Sequence, residues 1–283
     1  MLGTMYAVPL DSLTEYELRS HKQALTVQAR ASGGRDPPPP FCAWFEADGH
    51  LHVPRFYGLK RFGPPAHDGR VDGDAIDLAF EGTLTDVQRR AHDAVFGTHL
   101  GEGTPGGAIV CLPCGFGKTV WAVHAACALG RKTCVVVHKG VLRDQWVAAF
   151  RRFCPGVRVA IVQGSSAGGK GGGRAAAAKR KRGEEGEAGE KGEARADGGA
   201  RAQPDTFVSL AECDVAIAMI LTLSKSKRLG EGDFDAFGTV VVDECHHLAA
   251  PVMHLALRRF RARNVIGLTA TKERADGLTC LLH

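Results

Sequence analysis

No apolar run in this chain approaches the roughly 20 residues that a membrane-spanning helix needs; AIAMIL (216–221) is among the longest. Residues 1–10 lack both a charged leader and a long apolar stretch, so no secretory signal is visible. Cysteine lacks a regular framework: there are nine, an odd number that points to reduced thiols inside a cell rather than a disulfide scaffold. Strong charge of one sign is missing too, and a formal net charge of +5 permits a polyanionic partner without demanding one. The composition is not that of a disordered or fibrous chain, since 44% hydrophobic and 24% charged residues are usual for a soluble globular protein. A length of 283 residues allows one large domain or two small ones with a sizeable core. The expected setting is intracellular, nucleus or cytoplasm, without secretion or membrane contact.

Four zones differ in texture. Residues 1–83 are rich in Pro and Gly and show few long helical patterns. Within them, apolar residues at 41–45 and 51–53 flank Asp48-Gly49, a hairpin signal. PRFYGLKRFG (54–63) interleaves Arg55, Lys60 and Arg61 with Phe56, Tyr57 and Phe62. Such mixing can stack and neutralise nucleic acid, or the aromatics simply pack while the charges face water, which is the commoner case. From 84 to 163 helix and strand signals alternate. Val87, Ala91 and Val95 repeat at helical spacing, 133–137 is a β-branched strand, and Leu142, Trp146, Phe150 and Phe153 form a helical stripe before a strand at 157–162. This alternation is the mark of a parallel sheet flanked by helices. Residues 164–203 break it: they carry no aromatic and almost no branched aliphatic residue, and so are expected to form a mobile insertion. KRKR (179–182) inside it reads as a nuclear import signal or polyanion contact, or as part of a solvated linker. Strand signals resume at 214–219, 239–242 and 264–268.

The chemistry concentrates at two places. AIVCL (108–112) reads as a buried strand, LPCGFGKT (112–119) as a Gly-rich turn, and 120–129 as a helix that stops at Gly130. A turn of this kind exposes backbone N–H groups to an anion at a helix N-terminus. Lys118 is then expected to reach the β/γ-phosphates of ATP, and the Thr119 hydroxyl to complete a Mg2+ shell. In VVVDECHH (240–247) three β-branched residues run into Asp243-Glu244, two carboxylates at the carboxyl end of a buried strand. Ligands bind at that edge of an open parallel sheet. Asp243 fits as the acidic partner that holds Mg2+, and Glu244 as the group that polarises the attacking water.

These residues resemble a family. Pro113-Cys-Gly-Phe-Gly-Lys-Thr119 looks like motif I of superfamily 2 helicases, which tolerates Leu112 where the general pattern has Gly. Asp243-Glu-Cys-His246 looks like its DExH motif II, and GLTATKERADG (267–277) like motif III with the flank seen in the DNA-translocating branch related to the basal-transcription and repair helicase. CVVVHKGVLRDQW (134–146) and DVAIAMILTLS (214–224) look like motifs Ia and Ib. Leu84-Thr-Asp-Val-Gln88 is placed like the glutamine motif, whose Gln can read the adenine edge. PRFYGLKRFG is similar to the N-terminal region of helicases from large nucleocytoplasmic DNA viruses. Lys272 in place of a frequent Pro and Met219 in place of a frequent Thr blur the subfamily rather than the chemistry.

The resemblance implies an α/β fold: a RecA-like P-loop parallel sheet flanked by helices, with a small N-terminal β-containing extension and a disordered insertion. An accessory region at 1–83 would precede a helicase ATP-binding domain at 84–283, interrupted at 164–203. Gln88, Pro113, Cys114, Gly115, Phe116, Gly117, Lys118 and Thr119 would form the nucleotide site, with Thr119 and Asp243 on the metal. Lys118, Asp243, Glu244 and His246 would be catalytic, His246 relaying between ATP and motif III, and Thr269 and Thr271 would couple nucleotide state to domain movement. The loops of motifs Ia and Ib, with His138, Lys139, Gly140, Leu221 and Thr222, would touch the sugar–phosphate backbone, double-stranded DNA being the expected partner. A viral factory or virion joins the expected settings. Motifs IV to VI of a second RecA-like domain are not found before His283, so that domain would act in cis or in trans. Alone, the chain is expected to bind ATP weakly and to hydrolyse and unwind poorly, or to be a non-catalytic ATP- or nucleic-acid-binding module. Cys111-x-x-Cys114 has no second ligand pair at zinc spacing, and its place on the phosphate loop explains it better than metal or redox chemistry.

Overall fold

The computed structural model describes residues 1–27, 39–101, 103–163, 208–230, 232–245 and 250–270. The expected insertion at 164–203, with its basic cluster, lies outside them, as do His246, Thr271 and Lys272.

Six parallel strands form the main sheet: β6 (Gly107–Cys111), β7 (Thr133–Val137), β8 (Val159–Val162), β9 (Val215–Met219), β10 (Thr239–Val242) and β11 (Asn264–Thr269). Their order is β6-β11-β10-β7-β9-β8. The strands are near-continuous apolar runs whose successive side chains point to opposite faces, so both faces are covered. Val135, Val137, Val215, Ile217, Val241, Ile266 and Leu268 point to one face, into a core shared with α4 (Lys118–Leu129) and α5 (Gly140–Phe153). Cys134, Val136, Ala216, Ala218, Val240 and Val242 point to the other, against α6 (Ile220–Lys225), α7 (Ala250–Leu257), Phe234, Phe237 and Phe260. Helix α4 is apolar nearly all round because it is enclosed by the sheet, by α5 and by α3 (Asp86–Val95). This is the RecA-like parallel sheet flanked by helices that the sequence implied.

The N-terminal part carries more helix than its composition advertised. α1 (Glu15–Ala24) starts on a capping box between Thr14 and Glu17, a pattern readable in the sequence. A three-stranded antiparallel sheet follows the order β1 (Tyr6–Pro9), β5 (His50–Val53), β4 (Phe45–Ala47), and a two-stranded ladder pairs β2 (Thr26–Val27) with β3 (Phe41–Cys42). The expected turn joins β4 to β5, with Asp48 (φ 49°) and Gly49 (φ 72°) in the two positions that need positive φ. The first arm lies at Phe45–Ala47 rather than 41–45, because Phe41–Cys42 pair with β2 instead.

PRFYGLKRFG folds as α2 (Arg55–Phe62). Its aromatics pack: Phe62 stacks on Tyr6 and meets His21 edge-on, and the Tyr57 hydroxyl lies 2.8 Å from His21 Nδ1. Lys60 and Arg61 face water, but Arg55 does not. Its buried guanidinium donates to the carbonyls of Ala262 (2.7 Å), Gly3 (3.0 Å) and Phe260 (3.3 Å), pinning α2 to the segment that leads into β11. Burial pulls its pKa down to about 10.

Candidate active site

All six strands end at one edge of the sheet. There β6 passes into the loop 112–117, β10 into Asp243-Glu244, β11 into Ala270, β7 into His138 and β9 into α6. Because β11 lies between β6 and β10, the buried Thr269 sits opposite Cys111, and its carbonyl accepts from Leu112 N–H at 3.1 Å. Thr269 thus stands between the phosphate-type loop and the carboxylate pair.

The loop is built to present backbone. Gly115 (φ 82°) and Gly117 (φ 73°) hold the left-handed conformation that costs other residues about 1–2 kcal/mol. A Cβ on Gly115 would meet nothing within 4 Å, leaving open space over the loop, whereas one on Gly117 would lie 2.4 Å from Gln88 Nε2. Pro113, Cys114 and Phe116 are exposed, while Lys118 and Thr119, the first residues of α4, are half-buried. Lys118 Nζ donates to Leu112 O at 3.3 Å and lies 3.6 Å from Glu244 Oε1. Glu244 has φ 46°, a strained value for a side chain-bearing residue, at the turn after β10.

Asp243 is buried, and its Oδ2 accepts from the indole N–H of Trp146 at 2.8 Å. Burial pushes its carboxyl above the usual aspartate range; the Trp146 bond and Lys118 charge oppose that rise, and the Glu244 charge adds to it. A cation beside such a carboxylate relieves the penalty, and the oxygen donors of Asp243 and Thr119 suit Mg2+. With the open space over Gly115 and the Lys118 ammonium 3.6 Å from a carboxylate, the residues fit a bound nucleoside triphosphate and its metal.

Gln88 is buried and fully engaged with the chain itself. It closes a capping box with Thr85, and its Nε2 donates to the carbonyls of Phe116 and Gly117, both at 3.1 Å. The adenine-edge role would require it to release these carbonyls. Residues 220–225 form helix α6 rather than a loop, because Ile220 and Leu223 anchor that turn in the core while Leu221 stays exposed and Thr222 half-buried. His138 precedes α5, Lys139 is its exposed N-cap and Gly140 its first residue. Trp146 is the site residue that the sequence did not single out as such. It was legible as part of an apolar stripe, but its bond spans 97 positions and leaves no local mark.

Residues 81–274, more than half of the chain, match the family model described as "Type III restriction enzyme, res subunit". The chain belongs to that family. Its relatives include putative helicases of large DNA viruses. Over 245 residues it is 24% identical to a putative ATP-dependent RNA helicase of Acanthamoeba polyphaga mimivirus, which covers 86% of this chain and 38% of that protein. Over 93 residues it is 39% identical to the DNA 3'-5' helicase XPB of Mycobacterium tuberculosis, covering 31% of this chain and 16% of that protein. The chain therefore spans well under half the length of these relatives. Among solved structures, the UvsW helicase of bacteriophage T4 shares the fold at a TM-score of 0.55 and 12% identity, with 95% of this chain and 91% of that one covered. Among the described residues no helix is long and apolar enough to cross a membrane.

Proposed function

We propose that this chain is the ATP-binding half of an ATP-dependent DNA helicase or translocase that couples ATP hydrolysis to movement on double-stranded DNA. The observation that carries the reading is the approach of Lys118 Nζ to Glu244 Oε1 at 3.6 Å, where the glycine loop and the Asp243-Glu244 pair meet. On this reading the amides of Gly115 to Thr119 cradle phosphate, and Lys118 leaves Glu244 for the γ-phosphate. Glu244, once released, accepts a proton from the attacking water. Asp243 and the Thr119 hydroxyl would hold Mg2+, which when bound neutralises charge developing on the phosphates. Thr269, between the two halves of the site, is suited to sense which nucleotide is present.

Nucleic acid would run along the carboxyl edge past Lys139 and Gly140, then past Leu221 and Thr222; β7 and β9, which lead into these two sites, are neighbours in the sheet. DNA is favoured over RNA by the local likeness to the helicase XPB and by the motif III flank. The arginines that complete such a cleft in the resembling family sit on a second RecA-like domain, which on this reading works with the present one in cis or in trans. Residues 1–283 and their Lys118→Ala variant, assayed for ATP turnover with duplex DNA, duplex RNA or neither, test the proposal. A slow turnover that duplex DNA raises and Lys118→Ala abolishes is expected. Equal turnover by both proteins would favour a non-catalytic ATP- or nucleic-acid-binding module.

A further inference from the structure

We infer that Trp146 is a positioning residue for Asp243: its indole N–H fixes the carboxylate of the proposed metal site and ties it to α5. The inference rests on the nucleotide reading above. An indole carries one donor and no acceptor, so its single bond states where it is aimed. Trp146 is 1% exposed, and its partner is a carboxylate oxygen 2.8 Å away across 97 positions of chain. Burial alone does not compel such a bond. Trp121, fully buried in the same core, has no hydrogen-bond partner for its indole N–H among the described residues. The bond to Asp243 is therefore a specific arrangement and not the default fate of a core tryptophan here.

Its consequence is geometric. With Oδ2 held, rotation of the carboxylate is blocked and the direction of Oδ1 is set, which is what an outer partner does for a metal-binding carboxylate. Trp146 lies on the second turn of α5, whose first residue, Gly140, follows His138 and Lys139. A displacement of α5 at that end would be carried by a rigid helix to the Asp243 carboxylate. Phe150, fully buried one turn further on, packs beside Trp146 with ring centroids 6.0 Å apart and keeps the indole from swinging away.

The test uses residues 1–283 carrying Trp146→Phe or, at the same position, a benzothienylalanine that keeps the indole's volume and lacks its N–H. Mn2+ affinity is measured by the electron-spin signal of free Mn2+ with ADP saturating, and ADP affinity is measured separately in EDTA. Mn2+ affinity should fall about 10- to 100-fold in both variants while metal-free ADP affinity stays within about twofold. Asp243→Asn alone should weaken Mn2+ at least as much, and adding either Trp146 variant to it should then weaken Mn2+ little further, because the indole acts only through that carboxylate. Wild-type Mn2+ affinity in the benzothienylalanine protein would overturn the inference, as would a parallel loss of metal-free ADP affinity. Should the Phe variant fail to fold, the volume-matched variant decides. A wild-type chain that binds neither ADP nor Mn2+ would instead sink the nucleotide reading, and this inference with it.

Discussion

Gln88→Glu exchanges an NH2 group for an oxygen and changes little else. In the native chain Nε2 donates to the carbonyls of Phe116 and Gly117 at 3.1 Å, and Oε1 caps α3 through Thr85 N–H at 2.9 Å. The substitution keeps the cap and removes both donors, at about 1 kcal/mol each. It also presses a buried carboxylate against two carbonyl oxygens, costing about 1–2 kcal/mol more. A total near 3 kcal/mol corresponds to a melting temperature lower by about 10 °C for a chain of this size. Thr85→Ala, which loses the cap alone, should cost about 1 kcal/mol and about 3 °C. Calorimetric melting of the three proteins at neutral pH reads both numbers. The deficit should shrink on acidification, because burial raises the introduced carboxyl and its protonated form recovers one donor. A Gln88→Glu protein that melts within about 2 °C of wild type, or no lower than Thr85→Ala, would refute the clamp between α3 and the glycine loop.

Other substitutions probe neighbouring parts of the structure. Gly115→Ala meets no atom within 4 Å, so it should cost only about 1–2 kcal/mol of backbone strain yet weaken ADP binding strongly by filling the cradle; unchanged ADP affinity by calorimetric titration would contradict that. Arg55→Met keeps the bulk of the side chain but strands the carbonyls of Ala262, Phe260 and Gly3, and a loss of about 3 kcal/mol is expected in urea unfolding; an unshifted midpoint would count against the pin. Burial, with a smaller contribution from the Arg258 charge, lowers the His254 pKa to about 4. The unfolded chain takes up this proton near pH 6.5 and the folded chain only near pH 4. Stability is thus full above pH 6.5 and falls by up to about 3 kcal/mol as the pH drops toward 4. His254→Leu should flatten that part of the pH dependence of the urea midpoint, and an unaltered profile would refute the assignment.

Much of the fold was legible because local signals agreed. The valines of β7 and β10 are both β-branched and buried, so strand propensity and core demand coincide there. The glycine loop and Asp243-Glu244 were legible because each sits directly at a strand end, where sequence position fixes spatial position. What escaped depends on pairing at a distance. Thr269 was named through the family resemblance, but nothing near it reveals that β11 inserts between β6 and β10, the pairing that sets it beside the glycine loop. Arg55 read as one charge in a mixed basic and aromatic stretch, and only carbonyls some 200 residues away make it a buried anchor. Residues 220–225 lacked the length for a helical period to show, so core contacts of Ile220 and Leu223 decided their conformation.

The central claim is that the glycine loop and the Asp243-Glu244 pair form one site for a nucleotide and its metal. Calorimetric titration of residues 1–283 with ADP in the presence and absence of Mg2+, beside the Lys118→Ala variant, tests it most directly. The expected result is saturable one-to-one binding, tighter with Mg2+, that weakens at least about tenfold when the Lys118 ammonium is removed, the loss of one charge-assisted contact to phosphate. Binding of equal strength by both proteins, or none by the wild type at millimolar ADP, would contradict it.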